Sequence, residues 1–130
     1  MAEIKRYSDL SVWQKAMDVL AASYALADHF PHSEDFALRL QLRRAAVSVP
    51  SNIAEGHGRT GIGEYLHHLS IAHGSLMELE TLVHVAVRLR YVQQEGVEGL
   101  FRESEEVGRM LKALMRSLRQ RASEEQPVVR

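Results

Sequence analysis

A row of polar side chains crosses an otherwise apolar segment, and its members follow one another at intervals of three and four residues. They therefore share one face of a predicted helix: Gln41, Arg44, Ser48, Asn52 and Glu55. A facing helix could supply partners from Ser75, Glu78 or Glu80. Because an isolated buried charge is costly, we predict that this polar row, together with Glu78, fixes helix register or a subunit contact through hydrogen bonds.

The polar row lacks the features of an active site. No nucleophile stands beside a general base, and the glycine-rich stretch from Gly56 to Gly63 lacks the Lys-Ser/Thr ending of a phosphate-binding loop. The sequence therefore predicts no catalytic residue and no nucleotide site.

A basic stripe occupies one face of the last predicted helix, again at intervals of three and four residues: Arg109, Lys112, Arg116 and Arg119. Cations aligned in this way can contact the phosphates of a nucleic acid. The alternative is a helix-dipole effect, since acidic residues fill the first half of this helix and basic residues the second. A second, looser basic set consists of Arg39, Arg43 and Arg59.

A metal-dependent bundle enzyme is a remote alternative. Four-helix bundles hold di-iron centres with two Glu-x-x-His motifs and two further glutamates. The sequence offers one such motif, Glu64 with His67, and one i,i+4 pair, Glu80 with His84. Because the second motif is missing, we predict no metal, no cofactor and no enzymatic activity.

Four amphipathic helices must position these residues. Apolar residues recur with helical period throughout and never alternate as in a half-buried strand. The predicted helices cover about 8–30, 33–55, 61–92 and 95–121. Their short connections favour an all-α fold, an antiparallel up-down-up-down four-helix bundle. A single domain would then occupy residues 1–121, followed by a flexible C-terminal tail at 122–130.

Several local features of these helices follow from the same patterns. Ser8 or Ser11 is the expected N-cap of the first helix, and Ser33 that of the second. Pro50 should kink the second helix without ending it, because the apolar register continues beyond it. The predicted core face of the first helix comprises Leu10, Trp13, Met17, Leu20, Tyr24 and Ala27.

The third predicted helix carries a second apolar stripe beside its core-facing one: Ile71, Leu82, Val85, Leu89 and Val92. A helix in a monomeric bundle needs only one apolar face. The stripe is either part of a broad core-facing surface or a candidate subunit interface, since soluble proteins rarely expose large apolar patches.

Composition limits the classes of function. The 130 residues include 16 Lys and Arg against 17 Asp and Glu, a net charge of −1, so the chain as a whole is not a basic nucleic-acid binder. The absence of cysteine excludes thiol catalysis, Cys-ligated zinc and iron–sulfur clusters. No apolar run approaches a membrane span, and the first eleven residues lack the apolar core of a signal peptide. We expect a cytoplasmic protein.

Three motifs in order resemble the 23S ribosomal RNA intervening-sequence proteins, also called S23-type proteins. They are DLSVWQKA at 9–16, QLRRAAVSVPSNIAEGHGR at 41–59 and IAHGSLMELE at 71–80, within a likeness that covers 7–119. The resemblance implies an antiparallel four-helix bundle assembled into a homopentameric ring, without established enzymatic activity. Related accessory proteins of diversity-generating retroelements form basic pentamers that bind nucleic acid and a reverse transcriptase.

The sequence departs from those accessory proteins in charge, because none of its segments is strongly basic. We therefore expect a non-enzymatic oligomeric scaffold with a nucleic-acid-associated role. The alternative is a protein-recruiting scaffold that binds no nucleic acid. The expected partners are further copies of the chain, RNA or DNA, or another protein, with no membrane.

Overall fold

The structure, a computed structural model, describes residues 3–125. Four helices account for most of them: α1 (Ser11–Ala27), α2 (Leu38–His57), α3 (Ile62–Arg88) and α4 (Gln94–Glu125). Short 3₁₀ turns at Tyr7–Asp9 and His32–Glu34 precede α1 and α2. Residues 3–125 contain no strand, so the predicted all-α, four-helix fold is confirmed. None of these helices is long and apolar enough to cross a membrane.

The helices pack as a bundle in which each has two neighbours. Helices α1 and α3 both pack against α2 and α4. Neighbouring helices run antiparallel: Ser48 of α2 meets Ser75 of α3, whereas Asn52, one turn later in α2, meets His68, two turns earlier in α3.

The core lies along the axis of this bundle. Leu42, Ile53, Leu76 and Leu111 are among the largest fully buried side chains of α2, α3 and α4. The buried face of α4 also includes Val97 and Ser104.

The buried face of α1 differs from the predicted one. It carries mostly small side chains: Val12, Ala16, Val19, Ser23 and Ala27. Met17 and Tyr24 are instead exposed, and Trp13 is half-buried. Two faces of this helix satisfy helical spacing, and the predicted one is correct only in part: Ala27 is buried, and Leu10, Trp13 and Leu20 pack partly against the core. The large side chains border the groove between α1 and α2, while the small ones allow close packing of the helix axis on the core.

The ends of the helices differ from the predicted ones at several positions. Leu10 precedes the first residue of α1 and makes no capping bond, so neither Ser8 nor Ser11 is the N-cap. Helix α2 starts at Leu38, later than predicted, because His32–Glu34 forms a separate turn. The carboxylate of Glu34 accepts a hydrogen bond from the Leu38 N–H at 3.2 Å.

Helix α2 continues through Pro50, as predicted, and ends at His57, two residues beyond the predicted end. Helix α3 ends at Arg88, four residues earlier than predicted. Helix α4 continues to Glu125, so the first four residues of the predicted tail are helical. The rest of that tail, 126–130, lies outside the described residues.

A buried arginine ties the end of α1 to the beginning of α2. The Nε of Arg39 donates to the carbonyl oxygen of Ala27 at 2.9 Å, and the guanidinium also donates to the Phe30 carbonyl and pairs with Asp35. The Ala27 carbonyl also accepts from the Phe30 N–H at 3.1 Å, so Arg39 adds a second bond there and supplies a donor to the Phe30 carbonyl.

Candidate nucleic-acid interface

The four residues of the basic stripe line a groove between α3 and α4. Arg109, Lys112 and Arg116 border a cavity of about 620 Å³ whose opposite wall includes His73, Met77 and Glu80 of α3. Lys112, Arg116 and Arg119 then border an adjoining cavity with Ser70. All four basic side chains are exposed. The stripe predicted from spacing therefore forms one continuous wall of a groove, which we call the α3/α4 groove.

Polar and aromatic contacts set the alignment of α3 on α4 beside this groove. The hydroxyl of Ser104, itself fully buried, donates to Glu80 Oε2 at 2.6 Å. One turn further along, the rings of His84 and Phe101 stack with centroids 4.5 Å apart. These contacts bring the basic stripe to the edge of α4 that faces α3.

Charge is separated along the α3/α4 groove. Glu80 and Glu105 lie at one end, whereas Lys112, Arg116 and Arg119 lie towards the other. His73 borders both cavities, and burial together with the nearby Lys112 lowers its pKa, against the opposing effect of Glu80. The imidazole is therefore neutral at pH 7, and the positive charge of the groove comes from α4 alone.

The basic stripe has no internal partner among residues 3–124, where none of its four members forms an ion pair. Between Val107 and Ser123 the sequence contains five basic residues and no acidic one. Lys112, Arg116 and Arg119 lie towards the end of the groove away from Glu80 and Glu105, so their attraction for an external anion is the least reduced.

The second basic set differs from the basic stripe, because each of its members already has a partner within the protein. Arg39 is buried. Arg43 lies 3.5 Å from Asp28 and stacks over the Tyr24 ring at 5.1 Å. Arg59 pairs with Glu55 at 2.9 Å. These three arginines stabilise the bundle or its surface, and they do not extend the groove.

The polar row divides into a half-buried part and an exposed part. Ser48 and Ser75 hydroxyls lie 2.7 Å apart, and the Asn52 amide donates to the Ser48 carbonyl at 2.9 Å. Asn52 Oδ1 lies 3.1 Å from His68 Nδ1. These four side chains form a hydrogen-bonded cluster between α2 and α3.

The other members of the row lie outside this cluster, although Glu55 Oε2 approaches His68 Nδ1 to 3.9 Å. Gln41, Arg44, Glu55 and Glu78 are exposed. Ser75 is a partner that the sequence suggested, whereas His68 was not expected. Its spacing of seven residues from Ser75 was the available signal, because positions seven apart share a helix face.

The second apolar stripe of α3 is only partly on the surface. Ile71, Val85 and Leu89 are exposed, Leu89 by 50%, whereas Leu82 belongs to the core and Val92 packs partly against it. The broad-core interpretation therefore holds for Leu82 and Val92, and three residues remain for the candidate subunit interface.

Another apolar surface lies between α1 and α2. A groove of about 540 Å³ there is bordered by Tyr7, Trp13, Met17, Leu20, Val47 and Pro50, among others. We call it the α1/α2 groove. Three large α1 side chains that the sequence had assigned to the core border it: Trp13, Met17 and Leu20.

The residues considered for a metal site are not assembled into one. Within the described part of the chain, no three His, Asp or Glu side chains lie close enough together to hold a metal ion. Glu80 is hydrogen-bonded to Ser104, and the His84 ring packs on Phe101.

Comparisons with known proteins agree with this fold. The crystal structure of a protein of unknown function from the S23 ribosomal protein family of Bacteroides thetaiotaomicron VPI-5482 superposes with a TM-score of 0.74. The two sequences are 21% identical, over 80% of this chain and 97% of the other. No curated protein matches this chain. The family model for 23S rRNA-intervening sequence proteins matches residues 8–113, and the chain belongs to that family.

Proposed function

We propose that this protein is a non-enzymatic, homo-oligomeric scaffold that binds the phosphate backbone of RNA or DNA in the α3/α4 groove. The observation that supports this function is the row of four exposed cations along that groove, without ion-pair partners among residues 3–124.

The length of the row suits a nucleic-acid backbone. Arg109 and Arg119 are ten residues apart, so the row extends about 15 Å along α4. Successive nucleotides of a strand rise by about 3.4 Å, so the row spans about four nucleotides. Contacts to phosphate position a protein on nucleic acid without reading its sequence, so we expect little sequence preference from these cations alone.

Assembly would strengthen a contact that is weak in one subunit. The family resemblance implies a homopentameric ring, and the exposed Val85 and Leu89 provide an apolar strip for subunit contacts, with Ile71 on the same face beyond the exposed Glu78. Five grooves on one particle raise the effective concentration of each further contact after the first has formed. The near-neutral net charge is compatible with this function because attraction depends on the local surface.

Fluorescence anisotropy with a labelled structured RNA tests the proposal. Neutralising roughly four phosphates per engaged subunit should make affinity fall about 50- to 150-fold between 50 and 200 mM salt. The double variant Lys112→Ala, Arg116→Ala should weaken binding and lower the slope of log affinity against log salt by about 2. Arg59→Ala with Arg90→Ala removes the same charge elsewhere and should leave binding unchanged. Flat titrations at micromolar protein would exclude nucleic-acid binding.

A second candidate function is a scaffold that recruits another protein and binds no nucleic acid. The apolar α1/α2 groove favours it, because Met17, Tyr7 and Val47 are each exposed by more than a third there. Co-purification from the native host separates the two functions. Bound RNA that disappears in the Lys112→Ala, Arg116→Ala variant supports the first. A bound protein that disappears with Met17→Glu, in samples free of RNA, supports the second.

A further inference from the structure

The α3/α4 groove contains more than cations, and its uncharged part points to a particular form of nucleic acid. We propose that the groove binds single-stranded nucleic acid, with phosphates along the basic stripe and one unpaired base in the apolar part beside Met77 and Gly108. This inference rests on the proposed function and specifies its ligand.

The apolar part of the groove lies opposite the middle of the basic stripe. Met77 is 39% exposed there, and Ala113 and Gly108 border the same cavity from α4. A Cβ added at Gly108 would lie 3.6 Å from Leu76 Cδ2, an ordinary contact distance. Packing therefore does not require glycine at this position, and its lack of a side chain keeps the cavity open.

The size and lining of this cavity suit a base. Its volume of about 620 Å³ falls within the range of about 300–1,000 Å³ typical of clefts for small molecules. His73 offers a neutral aromatic ring, and Met77 a polarisable thioether, both of which pack well against flat aromatic groups. Stacking on such side chains tolerates every base because each has a π-face.

The acidic end of the groove determines the orientation of the strand. Glu80 and Glu105 border the cavity there and would repel a phosphate. A carboxylate instead accepts hydrogen bonds from base edges, as glutamate does from the amino group of cytosine. Only one oxygen of Glu80 is bonded to Ser104, so the other can accept such a bond. Phosphates therefore fit the basic part and a base edge fits the acidic part.

A duplex cannot satisfy both parts of the groove. Its bases are paired and stacked, so neither their faces nor their pairing edges reach a cavity of this kind without being extruded. An acidic peptide would match the cations, but it would place carboxylates against Glu80 and Glu105. A single strand meets both requirements, since it offers phosphates and unstacked bases together.

The experiment compares two probes on the intact chain: a labelled 12-nucleotide single-stranded RNA and the duplex of the same sequence, titrated by anisotropy at 50 mM salt. We expect the single strand to bind at least about tenfold more tightly, the scale of one base–aromatic stack. The variant Gly108→Leu fills the cavity without changing charge, so it should abolish most of that advantage while altering duplex affinity less than twofold.

Controls separate failure of this inference from failure of the proposed function. Gly96→Leu makes the same change on α4 outside the α3/α4 groove, where an added Cβ would meet nothing within 4 Å. This variant should bind strand and duplex as the unmodified protein does. Equal affinity for strand and duplex, or an unchanged preference in Gly108→Leu, would refute the base cavity and leave phosphate binding standing. An acidic peptide that displaces RNA at equal concentration would also refute it. Absence of binding to either RNA would refute the proposed function itself.

Discussion

Single residues of the same type take different roles in this protein, and their surroundings decide which. The arginines are the clearest case. Arg39 is buried against two carbonyls and a carboxylate, Arg43 rests on a tyrosine ring, and Arg116 stands exposed in a groove. A guanidinium can do all three because it is always charged and offers five donors in a plane.

The buried arginine yields the first prediction. Arg39→Ala leaves the buried Phe30 carbonyl without its side-chain donor and Asp35 without its partner, while the Ala27 carbonyl keeps only the Phe30 N–H, so we expect the free energy of unfolding to fall by about 2–4 kcal/mol. Arg39→Lys should lose most of the same stability, because an ammonium cannot reproduce three directed contacts. Urea unfolding followed by circular dichroism measures both. Arg43→Ala is the control, with an expected loss below about 1 kcal/mol for a partly exposed pair. Equal losses for Arg39→Ala and Arg43→Ala would contradict this account.

A second residue-scale prediction concerns the end of α3. Arg90 has a φ of 63°, and the N–H groups of Arg90 and Tyr91 donate to the carbonyls of Val87 and Ala86. This bonding is a Schellman motif with a non-glycine residue in the left-handed position. Arg90→Gly should raise the unfolding free energy by about 1 kcal/mol, because glycine adopts this conformation without steric cost. Arg88→Gly, inside the last helical turn, should lower it by about the same amount, and thermal unfolding would resolve the opposite signs.

At the scale of elements, the closeness of α2 to α3 depends on Gly56. A Cβ added there would lie 2.9 Å from the Cβ of His68 and 3.0 Å from the Tyr65 ring. Gly56→Ala should therefore destabilise the protein by about 1–3 kcal/mol. A Cβ added at Gly74, on the exposed face of α3, would meet nothing within 4 Å. Gly74→Ala should therefore stabilise the protein by about 0.5–1 kcal/mol. Denaturant midpoints of the two variants should move in opposite directions, and a stabilised Gly56→Ala would disprove the close contact.

The two connections at one end of the bundle are joined by a titratable pair. The Tyr91 hydroxyl donates to Glu34 Oε2 at 2.7 Å. This bond and the Leu38 N–H lower the pKa of Glu34 below its usual value, while the same bond raises the pKa of Tyr91. The Glu34 contribution to stability is present above the carboxyl's unfolded pKa and is lost as pH falls through the lowered one. The Tyr91 contribution is present below pH 10 and is lost as pH rises through the raised pKa.

The variant Tyr91→Phe tests this linkage. The difference in unfolding free energy between the unmodified protein and the variant should be largest near neutral pH and shrink in both acid and alkali. Urea unfolding at a series of pH values measures it, with Tyr24→Phe as a control that lacks the Glu34 partner. A difference independent of pH would show that the hydroxyl contributes packing only.

The elements also show which parts of the fold the sequence could predict. On α2 and α4 one face is clearly the more apolar, so periodicity indicated the face that is buried, whereas on α3 the core also takes Leu82 from the second apolar stripe. On α1 two faces satisfy the same period, and side-chain size favoured Met17 and Tyr24 over Ala16 and Ser23. Only packing against α2 and α4 decides between the two faces of α1, and periodicity within one helix carries no information about that packing.

The candidate interface was likewise predictable only in part. Spacing alone placed the basic stripe on one face of a helix. The opposite wall was not predicted, because Glu80 was considered only as a possible partner of the polar row, together with Ser75 and Glu78. In α3 Ser75 and Glu80 are five residues apart, which turns Glu80 about 140° away and towards α4. The partner face of each helix follows from the assembly of the bundle and not from the order of residues.

At the scale of the whole molecule, the net charge of −1 does not describe the local surface charge that an approaching ligand meets. Acidic residues gather in the first half of α4 and basic residues in its second half, so the two halves cancel in the sum while remaining apart in space. Repetition of such a subunit would repeat each local field without raising the net charge of the particle appreciably. Binding by this surface would then depend on assembly as much as on the groove.

The last prediction tests that dependence. Val85→Glu with Leu89→Lys places opposite charges on the exposed apolar strip of α3, leaving net charge and core unchanged. If this strip joins subunits, the mass by light scattering should fall from about 74 kDa, five times 14.7 kDa, to that of one chain. RNA affinity should fall at least about 100-fold with the groove intact, because linked contacts gain about 10²–10⁴ in avidity. Met17→Glu is the matched control in the α1/α2 groove. If the oligomer stays intact in Val85→Glu with Leu89→Lys and dissociates in Met17→Glu, the subunit interface involves α1 and α2 instead.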